Sequence, residues 1–199
     1  MPSRSRSSGV TSLWVWVASM PSNLVGILLP LQLKDSMGET GATIYGYLNS
    51  LNGFVVIAFT PVLTILLKRV TEIPKAILGL LLYVAGITFF SWNAAIAVLF
   101  AGMFVFTLGE VITVLGVNPY NSRRVPASHR GRIGGISSVV HSLFSSLTQY
   151  LISGILFLSN NNYRLIWMIF ICCGLVAVAL YAFMYKPDKQ TFPKLYEKS

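Results

Sequence analysis

Apolar residues fall into six blocks along the chain, at about 11–33, 43–67, 76–92, 94–118, 133–158 and 163–185. Short polar or charged connections separate them. Each block is close to the ~20 mostly apolar residues that a helix needs to cross a hydrocarbon core. The pattern predicts an all-α integral membrane protein. A tail at 1–10 precedes a six-helix transmembrane bundle at 11–185, and a second tail follows at 186–199.

Inside the blocks, polar residues recur at helical spacing in some segments and not in others. In the second block Tyr45, Asn49, Asn52, Val56 and Thr60 follow steps of three and four and so share one face. The fifth block carries Gly134, Ser138, His141, Ser145 and Gln149 in the same way. The first holds Pro21 and Pro30 with Ser19, Ser22 and Asn23, and prolines inside a spanning helix can kink it. The fourth has Gly102, Gly109 and Gly116 seven apart, a smooth stripe where another helix can approach closely. The third and sixth blocks offer almost nothing polar. The first, second, fourth and fifth helices are therefore expected around a cavity, and the third and sixth against lipid.

Charge turns this pattern into a topology. Of fifteen basic residues, thirteen lie in alternate connections. These are Arg4 and Arg6; Lys68, Arg69 and Lys75; Arg123, Arg124, Arg130 and Arg132; and Lys186, Lys189, Lys194 and Lys198. The other connections hold only Lys34 and Arg164. The positive-inside rule places both termini in the cytoplasm, and an even number of spans requires the same. The net charge of +9 thus reflects topology, and no nucleic-acid partner is expected. Only 11% of residues are charged, against about 25% in a globular domain. The amino-terminal apolar stretch is too long for a signal peptide and lacks a small-x-small site, so it reads as a retained helix. Cys172 and Cys173 are adjacent within an apolar block, a spacing that suits neither a disulfide framework nor a metal site. No cofactor and no metal are expected. Paired carboxylates, a nucleophile with its base, and a phosphate loop are all missing from the pattern, so an enzyme is not expected.

The chain is organised around Phe104 to Gly135, FVFTLGEVITVLGVNPYNSRRVPASHRGRIGG. One helix carries Glu110 into hydrocarbon, leaves at a turn with four arginines, and the next helix re-enters. An ionisable group there costs about 2.5–3.5 kcal/mol on insertion scales and usually faces a bundle interior or a wet cavity. Glu110 is read either as a proton carrier or cation contact, or as a structural carboxylate pairing with the cytoplasmic arginines. His141 lies at a matching depth of about 12 Å on the next helix. It is either a proton relay partner or a hydrogen-bonded packing residue. Asn49, Asn52 and Gln149 line a substrate cavity or, alternatively, join helices to one another. Arg130 and Arg132 set topology and hold the cytoplasmic turn through backbone carbonyls or Glu72.

These residues carry a resemblance. YGYLNSLNGFVVI at 45–57, TLGEVI followed by Pro119, and RVPASHRGRIGG at 124–135 appear in order. They resemble the eighth helix, the tenth helix and the turn between the tenth and eleventh in the carboxy-terminal half of a major facilitator superfamily (MFS) transporter. The nearest likeness is to drug:proton antiporter-like members. The turn would then be a cytoplasmic loop motif carried by Arg124, Arg130, Gly131 and Arg132. The resemblance implies one six-helix bundle of a two-bundle transporter in the cell (plasma) membrane, built from inverted three-helix repeats. It implies alternating-access transport of a small-molecule substrate, coupled to protons. The partners expected are membrane lipid and either an amino-terminal six-helix half or a second copy of the chain. The rival expectation is a truncated membrane protein that transports nothing and acts only as an interaction partner.

Overall fold

The computed structural model describes residues 24–92, 95–124 and 130–191. They form six helices: α1 (24–37), α2 (Glu39–Leu66), α3 (Glu72–Ser91), α4 (Ile96–Arg124), α5 (Arg130–Leu158) and α6 (Tyr163–Thr191). The last five are each long and apolar enough to cross a membrane. The first apolar block lies largely outside the described residues, and α1 holds its carboxy-terminal part.

Helices end where backbone chemistry ends them, not where hydrophobicity does. The first block was expected to stop at residue 33 and the second to begin at 43. Instead α1 continues through Lys34, Asp35 and Ser36, and α2 starts at Glu39. Polar residues remain helical wherever the ladder can continue. Gly38 makes the corner, with φ +60°, a conformation that glycine reaches at no steric cost. Three residues on, Gly41 packs against the Leu33 backbone so closely that a Cβ would fall 2.2 Å from its carbonyl oxygen. Likewise α4 runs through Pro119 to Arg124, and α6 runs beyond its apolar stretch to Thr191. The asparagine turn before α6 places Asn160 and Asn161 at φ 51° and 58°, where asparagine is among the tolerated side chains. Asn162 then caps α6, its Oδ1 accepting the Leu165 N–H at 3.2 Å.

The densest packing is between α3 and α4. The stripe of Gly102, Gly109 and Gly116 meets a second stripe on α3, Gly79 and Gly86, also seven apart. A Cβ on Gly109 would lie 2.7 Å from the Gly79 carbonyl, and one on Gly116 would lie 2.8 Å from that of Glu72. Lipid tails are as apolar as leucine, so close backbone approach is what joins such helices. Around the seam, Tyr83 and Phe106 stack at 4.7 Å, and Phe90 meets both Phe106 and Trp167 of α6.

This corrects the expected position of the third helix. Its freedom from polar groups does not mark a lipid face, because α3 is enclosed by α4 on one side and α6 on another. Only Leu78 and Leu81 are exposed on it, at 42% and 43%. The sixth helix does present an apolar exterior, with Met168, Leu175, Val176, Leu180 and Phe183 exposed. Inside the chain, 44% of the spanning stretch of α3 and 50% of that of α4 are buried, against 11% for α2 and 17% for α5. The bundle therefore has a closed side, α3–α4–α6, and an open one formed by α2 and α5.

Candidate functional site

The site is built where α2 crosses α4. Glu110 sits in the middle of α4, half-buried, with Thr107 one turn before it on the same face. Asn52 projects from α2 toward both. Its Nδ2 donates to Thr107 Oγ1 at 2.9 Å and to Glu110 Oε2 at 3.0 Å. The buried Thr107 hydroxyl in turn donates to the Met103 carbonyl of its own helix at 2.7 Å. Seven residues beyond Asn52 on α2 and three before Thr107 on α4, Phe59 and Phe104 close the α2–α4 contact, edge to face at 5.5 Å.

The sequence-predicted residues divide. Asn52 and Glu110, assigned separately to a substrate cavity and to proton coupling, come together in one cluster. Asn49 lies exposed on α2, and Gln149 lies exposed on α5. His141 is half-buried on α5, whose principal neighbour is α6, not the preceding helix α4. Gly131 and Arg132 are exposed at the start of α5. Of the loop motif, Arg124 ends α4 and Arg130 begins α5, and the turn between them lies outside the described residues. Glu72 is buried at the first position of α3, with its backbone against Gly116. Among the described residues, no three His, Cys, Asp or Glu side chains group as a metal site would need.

Thr107 escaped sequence reasoning. Its spacing of three from Glu110 was the available signal, but threonine is an ordinary residue in a spanning helix. A second polar cluster also went unread. Gln32 of α1 is buried, donates to the Phe90 carbonyl at 3.2 Å and accepts from Trp167 Nε1 at 2.6 Å. Phe90 stands in the last turn of α3, where a carbonyl has no intrahelical donor. Gln32 satisfies that carbonyl and the indole of a fully buried tryptophan together. Near the Gly38 corner, Asp35 accepts from the Tyr163 hydroxyl and from Asn161 Nδ2. These contacts pin α1 to α3 and α6, and no conformational work is needed to explain them.

Magnitudes separate the two clusters. Interhelical hydrogen bonds in membranes average about 0.6 kcal/mol each. The Asn52 bond to Glu110 offsets a part of the ~2.5–3.5 kcal/mol cost of an ionisable group at the helix centre, beside the other contacts that Glu110 makes. The Gln32 cluster is uncharged and fully paired, and stability does account for it.

Five apolar helices of spanning length define a polytopic α-helical membrane protein. The family model of the Major Facilitator Superfamily matches residues 11–198, and the chain belongs to that superfamily. Its members transport solutes across membranes and are not enzymes. Comparison with curated proteins and with solved structures finds no match.

Proposed function

We propose that this chain is the carboxy-terminal six-helix bundle of a proton-coupled transporter, similar to drug:proton antiporters, that moves a small solute by alternating access. Glu110 carries the proton. The observation that carries this reading is a carboxylate deep in an apolar helix, half-buried and held by Asn52 across a helix crossing. Asn49 and Gln149, both exposed, face the solute from the open side. An alternating-access site lies between two bundles. The open faces of α2 and α5 are therefore completed by a second six-helix bundle, either an amino-terminal half or a second copy.

The test uses sealed vesicles carrying the chain with its second bundle, an imposed pH gradient and a panel of small solutes. Addition of a transported solute should collapse the gradient, and Glu110→Gln should abolish that collapse while leaving expression near normal. Solute flux that persists undiminished in E110Q rejects the proton-carrier role. No flux with any second bundle favours the non-transporting alternative.

Both termini lie in the cytoplasm of a cell whose plasma membrane the bundle spans. Cysteines replacing Thr40 and Arg164, both exposed near helix ends, should then react with an impermeant thiol reagent from outside intact cells, and one replacing Lys189 should not. Labelling at 189 from outside would overturn the orientation.

A further inference from the structure

The hydrogens of the α2–α4 cluster have fixed destinations. Thr107 gives its only proton to the Met103 carbonyl, so toward Asn52 it can only accept. The Asn52 amide therefore turns its NH2 group to Thr107 and Glu110, and both of its N–H bonds are used. A reversed amide would set Oδ1 against an oxygen with no proton left to give. Among the described residues, Asn52 Oδ1 itself accepts nothing.

This geometry suits one charge state of Glu110. An ionised carboxylate only accepts, and a hydrogen bond to it is roughly twice as strong as one between neutral groups. A proton on Oε2 would set donor against donor and break the contact. A proton on the other oxygen would leave Oε2 a neutral, weaker acceptor. Either way the grip of Asn52 loosens on protonation.

We infer that Asn52 is a positioning residue for Glu110: its amide, oriented by Thr107, holds the ionised carboxylate against α2 and releases it when a proton binds. The charge on α4 is thereby converted into a change in the α2–α4 contact. This inference rests on the proton-carrier reading of Glu110. The other charged positions on α2, α3 and α4 stand along the helices as follows. On α2 the other charged residue is Glu39, thirteen positions from Asn52, roughly 20 Å along the helix. Tyr45 of α2 donates to the Gly26 carbonyl of α1, and Tyr47 is exposed. On α3 the ionisable group level with Gly109 is Tyr83, whose ring packs on Phe106. Glu72 and Lys75 lie against Gly116, about two turns farther on. On α4 itself Arg123 and Arg124 stand thirteen and fourteen positions beyond Glu110.

The test is magnetic resonance of the whole chain in lipid bilayers, with labelled asparagine amides and glutamate carboxyls. Asn52→Leu and Glu110→Gln identify the two signals by their loss. Between alkaline and acidic buffer, the Asn52 amide signal should shift together with the Glu110 carboxyl signal. In E110Q the Asn52 signal should stay in place, because a glutamine carbonyl accepts its N–H at any pH. An Asn52 shift of equal size in E110Q overturns the positioning role. So does a static Asn52 signal while the Glu110 carboxyl visibly takes up a proton, and that result leaves the proton-carrier reading intact. A Glu110 carboxyl that never changes removes both.

Discussion

The α3–α4 seam and the α2–α4 crossing share a helix yet are built on opposite terms. Along the seam, five glycines bring two backbones into contact, and at Gly79, Gly86, Gly102, Gly109 and Gly116 an added Cβ would meet its nearest neighbour at 2.2–2.8 Å. At the crossing, Gly46 and Gly53 of α2 have nothing within 4 Å of a would-be Cβ, and the contact rests on an amide, a hydroxyl and a carboxylate. Backbone packing has one geometry. Hydrogen bonds to an ionisable group have two, one for each charge state. On the inference drawn for Asn52, the same helix α4 is fixed on one side and adjustable on the other.

The largest effect should follow from filling the seam. Gly109→Val puts branched carbon where the Gly79 carbonyl and the Tyr83 N–H lie under 3 Å away, and neither is the end of a flexible side chain. Overpacking costs about 1–3 kcal/mol where neighbours can shift. Here backbone must shift, so loss of folded protein from detergent extracts, read as a collapsed monodisperse peak, is the expected outcome. A normal peak and melting temperature would mean that the seam is looser than described. The smallest effect should come from the open side. Gly154→Ala on α5 meets nothing within 4 Å, and alanine is favoured over glycine in a helix by about 1 kcal/mol. Its melting temperature should be unchanged or slightly raised, and a marked fall would show that α5 is packed more tightly than this chain alone provides.

Much of this contrast was legible in the residues. The heptad spacing of Gly102, Gly109 and Gly116 pointed to a close helix contact, and Glu110 stood out because a single acid in an apolar block has so few innocuous explanations. Periodicity could not say which helix would meet the stripe, since Gly79 and Gly86 are two small residues among many in a block without contrast. For the same reason the third block read as a lipid face: a helix packed on two sides and a helix bathed in lipid have the same apolar composition. The polar face of α2 was visible, but its residues pointed to one cavity. A helix crossing turns Asn52 inward and leaves Asn49 outside, and one turn of difference in register lies below what spacing can resolve. Gln32 was hidden because its partners are a backbone carbonyl and an indole, neither of which marks itself in a sequence.

Backbone hydrogen exchange of the chain in lipid bilayers tests the division between fixed and adjustable sides most directly. Segments 79–90 and 102–116 should exchange slowly, and equally so at acidic and alkaline pH once the intrinsic pH dependence of exchange is removed. Residues around Asn52 in α2 should exchange faster, and faster still when Glu110 is protonated, with that added dependence gone in E110Q. Exchange across the glycine seam that outpaces α2, or that rises with protonation while α2 stays constant, would contradict the account.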